Sequence, residues 1–460
     1  AGTVGAEPLD AKGAAMSSDE APAEALAAKP AVQPPRWYRL AWFLGRPPPL
    51  TERQWRMLGL VSAVGFFESY DLYLMSLNLK QIQAELGIGE GSLGLMLGFV
   101  RSGALLALLI VPFADRFGRR RVLLATIVGY TLMTTLTALA PSTEAFVVLQ
   151  FLARVFAVAE ALLATVVIVE EFAPENRGWG IGATAAIQAC GAGFAALMFG
   201  FVDHLPFGWR ALYAVGVVPL CLIAYWRRTL PETGQYVHLV ETHAQPAPMY
   251  ANIWRSARQY PRAFATLSGT FLIAGIAGVA TGTFVPKYLQ EVHGWQPPQV
   301  ALLTFIGGAF GIIGNPLSGW LSDRFGRRPT GTVFALGYAL SILTFYSIGG
   351  LFVPVLWIAY LFFSMGSDVT LAAYRTELFP TSMRSSAGGA TNIAGVVGGI
   401  AGLSLVSALY AVVGNTWTAI LMVASLTLVT PLLIWFLFPE TARRRLEDIA
   451  PDASETTDSR

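Results

Sequence analysis

Charged residues are scarce in this chain: Asp, Glu, Lys and Arg make up only 13% of its 460 residues. A soluble surface takes about a quarter, so most of the surface here must meet lipid rather than water. Cysteine is scarcer still. Cys190 and Cys221 both stand inside apolar runs, which argues against a disulfide framework. The histidines, His204, His238, His243 and His293, fall at no zinc-ligand spacing, and no metal is expected. No G-x-x-x-x-G-K-S/T loop occurs, so no nucleotide is expected to drive the protein. A net charge of +2 gives no reason to expect nucleic acid. The first fifty-odd residues, rich in Ala, Pro and Glu, lack the basic-then-apolar layout of a signal peptide. They are expected to form a disordered tail over 1–54.

Apolar length is what the chain has in quantity. A helix needs roughly 20 apolar residues to cross the hydrocarbon core. Twelve such runs are present, at about 57–79, 92–113, 121–140, 145–169, 178–202, 210–230, 263–286, 298–321, 330–350, 352–376, 386–410 and 416–438. The expected fold is an all-α membrane protein of twelve transmembrane helices in two six-helix bundles, 55–230 and 263–440. A polar linker, 231–262, joins the bundles, and a tail follows over 441–460. Basic residues in short loops mark the cytoplasmic side. Arg116, Arg119, Arg120, Arg121, Arg177, Arg255, Arg258, Arg324, Arg327, Arg328 and Arg384 fall on one side, with both termini and the linker. Little beyond Lys80, Arg210 and Lys287 falls on the other. Arginine far outnumbers lysine, as in GC-rich bacterial genomes, and the expected location is a bacterial inner membrane.

An internal repeat explains the two bundles. Asp115–Arg120 reads DRFGRR and so does Asp323–Arg328, 208 residues later. Pro231-Glu-Thr after the sixth run answers Pro439-Glu-Thr after the twelfth at the same offset. Glu171-Phe-Ala-Pro174 answers Glu377-Leu-Phe-Pro380 at 206 residues. An even number of spans separates the copies, so both halves point the same way. Halves repeated in parallel place a substrate site at their interface near the bilayer midplane.

These landmarks resemble those of the major facilitator superfamily, over about residues 55–445. The likeness is nearest to its sugar-porter, organic-ion and aromatic-acid:proton symporter branches. The glycine usual four residues before the loop Asp is present as Gly319 but replaced by Val111 in the first copy. The PES-type ending of sugar porters is absent after the sixth run, where Pro231-Glu-Thr-Gly stands. By the resemblance, Asp115, Arg119, Arg120, Asp323, Arg327 and Arg328 form a charge latch at the cytoplasmic helix ends. Glu171, Arg177, Glu377 and Arg384 complete it. The plainer reading is that these arginines only satisfy the topology rule.

Charges inside the spans are the sharper clue, because each costs several kcal/mol when left unpaired in lipid. They are Glu68 and Asp71 in the first span, Arg101 in the second, Arg154 and Glu160 in the fourth, and Asp368 and Arg375 in the tenth. Glu68 and Asp71 share a helix face. Two carboxyls so close in a poorly solvated cavity do not both ionise easily, which makes either a natural proton carrier. The aromatic-acid symporters carry a D-G-x-D pattern in the first span, and Glu68-Ser69-Tyr70-Asp71 resembles it with Glu and Ser at the first two places. Arg154 resembles a buried arginine of the fourth span that several branches link to proton coupling. Static salt bridges between helices are the competing reading. Asp71 and Arg101 stand at similar depth on neighbouring spans and so can pair.

A guanidinium grips a carboxylate through two hydrogen bonds, so Arg101 and Arg154 suit an anionic solute. Neutralised by Asp71 and Glu160, they would instead leave an acidic face for an organic cation. Tyr70, Gln188, Tyr360, Asp368 and Asn392 are further substrate-binding candidates. The expected activity is secondary transport of a small organic, aromatic carboxylate with protons, by alternating access. The proton gradient supplies the energy, no cofactor is expected, and the chain is expected to act as a monomer. A drug or organic-cation antiporter, or a non-transporting membrane receptor, are the other readings. An enzyme would need a nucleophile or metal constellation that the sequence does not offer.

Overall fold

A computed structural model describes residues 32–218, 221, 249–380, 383–444 and 449. The first spanning helix shows how local chemistry sets a boundary. Thr51 precedes α1 (Glu52–Leu77), its hydroxyl accepting from the Gln54 backbone N–H while the Gln54 side chain accepts from Thr51 N. That reciprocal pair satisfies two of the donors every helix start leaves open. Five helices follow in the first half: α2 (Glu90–Phe117), α3 (Arg119–Thr137), α4 (Thr143–Glu171), α5 (Pro174–Phe199) and α6, which begins at Trp209–Ala214. The second half holds α7 (Pro261–Glu291), α8 (Pro297–Phe325), α9 (Arg327–Ser347), α10 (Val353–Glu377) and α11 (Arg384–Val413). Its last helix, α12, runs through Thr416–Ser425, a 3-10 turn at Leu426–Leu428, and Val429–Leu437.

Among the described residues, nine of these helices are long and apolar enough to cross a membrane. The other three are α1, α3 and α6. α1 carries Glu68 and Asp71 besides its first-turn charges, and α3 opens on three arginines. The expected sixth run continues past Val218 into residues that, apart from Cys221, lie outside the described set. In each DRFGRR loop the glycine bridges two helices with φ in the left-handed half of the map, 98° at Gly118 and 109° at Gly326. A side chain there would be strained, which accounts for glycine at that place in both copies.

The packing repeats as the sequence does. α1 lies along α5 as α7 lies along α11, α2 along α4 as α8 along α10, and α3 along α4 as α9 along α10. The halves meet through α2 with α11 and, in the matching places, α8 with α5. The core is not evenly spread. Toward the end away from the arginine loops, here the far face, one apolar cluster is continuous across both halves, from Leu74 and Leu97 to Val285 and Leu403. Toward the arginine-rich face the core divides. Met57, Leu60 and Leu163 belong to a cluster of the first half, and Leu267, Leu371 and Tyr374 to a separate one of the second.

Three expected boundaries differ. The tail expected over 1–54 ends sooner, because a 3-10 helix at Arg36–Leu44 packs Tyr38 against Trp55 and Trp179, and Leu50 is buried. Aromatic rings supply the apolar area that the rest of that segment lacks. Within the expected linker 231–262, residues up to 248 lie outside the described set and Met249–Gln259 forms a helix. The expected tail from 441 starts packed: Thr441 is buried and donates to Glu377 Oε2 at 2.5 Å.

Candidate functional site

Between the halves lies a cavity of about 80 Å3, open in part to solvent. Four of its lining residues are the charges singled out within spans: Glu68 and Asp71 on α1, Arg101 on α2 and Arg154 on α4. Helical spacing delivers them. Glu68, Asp71 and Met75 follow one face of α1, and Gln150, Arg154 and Ala157 one face of α4. The second half adds Thr283 from α7 and Leu403 from α11.

Among the described residues, no two of these four charges are joined by an ion pair. The guanidinium of Arg154 acts electrostatically on both Glu68 and Asp71, and also against Arg101. Asp71 Oδ2 accepts only a long bond from Thr134, at 3.4 Å. Its Oδ1, Glu68 Oε2 and Arg101 Nε are buried without a hydrogen-bond partner. Buried polar atoms are nearly always paired. Groups placed this way at a cavity wall are available to water or to a ligand. Asp71 and Arg101 thus share the cavity without forming the pair that their similar depth allows.

Arg101 reaches its position because Gly399 on α11 gives way. A Cβ at 399 would fall 2.7 Å from Arg101 Nε, closer than real carbon atoms come. Glu160 sits behind the cavity rather than in its wall, buried, with Oε1 unpartnered and electrostatic coupling to Glu68.

Other sequence candidates point elsewhere. Tyr70 donates to the Leu212 carbonyl at 3.0 Å and packs on Phe194, so it faces α6 and α5 instead of the cavity. One residue of helix turns a side chain by about 100°, which separates Tyr70 from Asp71. Gln188 lies over Gly65, filling the α1–α5 contact. Tyr360 is buried in a stack on Trp357, with centroids 4.9 Å apart. Asp368 and Asn392 gather around Arg375 in the second half: Arg375 donates to Asn392 Oδ1 at 2.8 Å and acts electrostatically on Asp368.

At the arginine-rich face the second half brings Asp323, Arg327 and Glu377 together. Arg327 Nη1 lies 2.6 Å from Asp323 and Nη2 3.0 Å from Glu377. Glu440 closes the group, accepting from the backbone N–H of Arg327 at 2.8 Å and of Arg328 at 3.1 Å. Burial raises its carboxyl, but these donors and the N–H groups of Ala442 and Thr441 prevail and hold it below the usual range. Arg328 stacks over Trp435 at 4.8 Å. In the first half the side chains of Asp115 and Arg119 lie outside the described residues, and Arg120 stands in the first turn of α3. Glu171 takes a two-pronged pair from Arg53, at 2.6 and 2.7 Å. Arg177 and Arg384 do not join these groups. Each donates to a carbonyl five residues back, Phe172 at 3.1 Å and Phe379 at 3.2 Å, and so braces its own loop.

The far face is sealed by a lock between the halves. Lys287 of α7 is wholly buried, with Nζ 2.8 Å from Glu90 of α2 and 2.6 Å from Glu291. Thr416 of α12 donates to the other oxygen of Glu90 at 2.9 Å, and Lys287 lies 5.3 Å from the Trp417 ring. Gln81 meets Gln290 at 2.7 Å, and Ser407 accepts from Leu95 N at 3.0 Å. Among the described residues, every hydrogen bond between the halves lies on this side.

Sequence reasoning missed Arg53, Gln150, Thr283 and the role of Lys287. Gln150 had a signal, since it precedes Arg154 by one turn on the same face of α4.

The family model described as Major Facilitator Superfamily matches residues 61–402. A putative niacin/nicotinamide transporter of Bacillus subtilis is 26% identical over 380 residues, covering 80% of this chain and 91% of that protein. The cis,cis-muconate transport protein of Acinetobacter baylyi is 28% identical over 338 residues, covering 70% and 80%. Among solved structures, an inward-open xylose transporter from E. coli superposes with a TM-score of 0.66 at 17% identity, over 86% of this chain and 99% of that one.

Proposed function

This chain belongs to the major facilitator superfamily, whose fold is twelve helices in two six-helix bundles, and we propose that it is a proton-coupled carrier of a small unsaturated or aromatic carboxylate. The observation that carries the reading is the cavity between the halves, where Arg101 and Arg154 face Glu68 and Asp71 with polar atoms left unpaired. Niacin and cis,cis-muconate, the solutes named for two relatives, are both small unsaturated carboxylates. Their carboxylate suits a guanidinium fork, and the apolar wall from Met75, Leu97, Val100 and Leu403 suits the rest of the molecule.

In this reading the arginine-rich face is cytoplasmic, in the inner membrane of a bacterium, and the structure is the inward-facing form. The far-face lock is closed, and the core is split toward the cytoplasm. A proton held by Glu68 or Asp71 leaves the two arginines free to bind the anion. When the proton departs, the carboxylate so formed draws Arg154 back and weakens the grip on the solute. Proton and anion are thereby released to the same side, which is symport.

Proteoliposomes test the proposal. A pH dye reports proton entry when benzoate or nicotinate is added outside to wild type, and Asp71→Asn loses that signal while still exchanging labelled solute. Proton movement driven instead by organic cations, in the opposite direction, would overturn it.

A further inference from the structure

Each half is preceded by a short basic segment studded with exposed aromatic rings. In the first half it is the 3-10 helix Arg36–Leu44, and in the second the helix Met249–Gln259, which leads directly into α7. Tyr38 and Ala41 are buried and Leu44 partly so, with a kink in the segment at Ala41. Tyr38 lies 5.0 Å from Trp55 in the first turn of α1 and 6.3 Å from Trp179 near the start of α5, and Trp37 also turns inward, 5.8 Å from Trp55. Most of the remaining side chains face outward. Leu40 is 84% exposed, Trp42 80% and Phe43 45%, and Arg36, Arg39 and Arg46 are exposed beside them. The second segment shows the same chemistry, with Trp254 67% exposed beside solvent-facing Arg255 and Arg258, and Ser256 buried. No acidic residue occurs within 36–46 or 249–262.

We infer that these two segments are feet that rest on the membrane surface, their rings among the acyl-chain ends and their arginines on the phosphates of anionic phospholipids. Height fixes the occupant. Both segments sit beside the first turn of a spanning helix on the arginine-rich face, where a lipid headgroup layer must lie. Rings of this kind concentrate at that level, and a basic amphipathic segment lies flat there. Charge complementarity selects anionic lipid, since clustered arginine without acid is the footprint of such recognition. Through Tyr38 and Trp55 the first foot is fixed to α1, and through Tyr260 the second is continuous with α7. Each half therefore carries its own hold on the leaflet.

The test uses the full chain with Cys190 and Cys221 replaced by Ser, spin-labelled at Leu40→Cys or Trp254→Cys. It is reconstituted in phosphatidylcholine vesicles with or without phosphatidylglycerol. The depth of the label is read from its accessibility to oxygen against a water-soluble nickel chelate. The expected result is oxygen-favoured labels when phosphatidylglycerol is present and a shift toward the chelate when it is absent. Changing Arg36, Arg39 and Arg46 to Gln abolishes the shift at position 40, each arginine lost weakening the hold by about fivefold. Chelate-accessible labels in both lipids would overturn the inference. So would labels shielded from both reagents, which would mean that protein covers these faces, or burial indifferent to lipid charge. None of these readouts depends on solute transport, so a failure here leaves the carrier assignment untouched, and the reverse.

Discussion

Replacing Lys287 with Met should unlock the far face while leaving the rest of the fold in place. Methionine keeps the length of the side chain and its packing on Trp417 but removes the charge that joins α7 to α2. Stripping one partner from a buried pair costs about 3–5 kcal/mol when the other stays buried. Here the carboxylates left behind are partly exposed, Glu90 by 35% and Glu291 by 29%, so water recovers part of that loss. A cost near 2 kcal/mol to the closed arrangement is the reasonable figure, and at 1.4 kcal/mol per decade it shifts the equilibrium about 30-fold. The assay is modification of Met75→Cys, a cavity-lining position, by an impermeant maleimide added on the far side, with Cys190 and Cys221 replaced by Ser. Labelling should rise about 10- to 30-fold in Lys287→Met. Adding Glu90→Gln should return part of the closure, because the orphaned carboxylate is then gone, and the coupling appears as non-additivity in the double-mutant cycle. Labelling within twofold of the parent would refute the reasoning and leave the lock a local helix-end contact.

Three further outcomes follow from the same geometry. Arg101→Lys should raise the KM for a carboxylate solute by about 10-fold, since a point charge cannot offer the paired bonds of a guanidinium. A transport titration checks this, and an unchanged KM would place the anion on Arg154 alone. Tyr70→Phe should cost about 1 kcal/mol of stability by removing the buried bond from its hydroxyl to the Leu212 carbonyl, with the KM unaltered. A large KM change would return Tyr70 to the cavity. Glu440→Gln should lower the thermal midpoint at neutral pH by removing an acceptor for the backbone N–H groups of Arg327 and Arg328. Because the native carboxyl is held below its usual range, its contribution is complete above that range and disappears as pH falls through the folded value. The gap between variant and parent in a melting series should therefore close in acid.

Much of this architecture could be read from the residues alone. Twelve apolar runs and the doubled DRFGRR and PET segments specify a repeated six-helix unit, because only periodic burial in lipid needs such runs. Glu68, Asp71, Arg101 and Arg154 stood out because an unshared charge in a span is too costly to be incidental. Which way a neighbouring ring points was less legible. Tyr70 and Asp71 are adjacent in sequence yet face different helices, and no periodicity in α1 says whether α6 or the cavity lies at a given angle. Arg53 was hidden at the edge of a segment whose composition resembles a tail. The aromatic cluster of Tyr38, Trp55 and Trp179 turns that edge into structure. Lys287 and Glu90 are 197 residues apart on opposite halves, and their meeting belongs to one arrangement of the halves, which no local pattern encodes.

The walls of the cavity are unequal, and that has a use. All four of its charges come from the first half, while the second contributes a threonine and a leucine. In the proposed reading, recognition of charge then rests on the first half alone, while the carbon skeleton of the solute meets both halves, Met75, Leu97 and Val100 from the first and Thr283 and Leu403 from the second. Substitutions around Thr283 and Leu403 can retune which carbon skeleton is accepted without disturbing the ionic machinery. If the proposed reading holds, drift in the second half is a cheap evolutionary route from one carboxylate solute to another, and an obvious place to begin a selection for new ones.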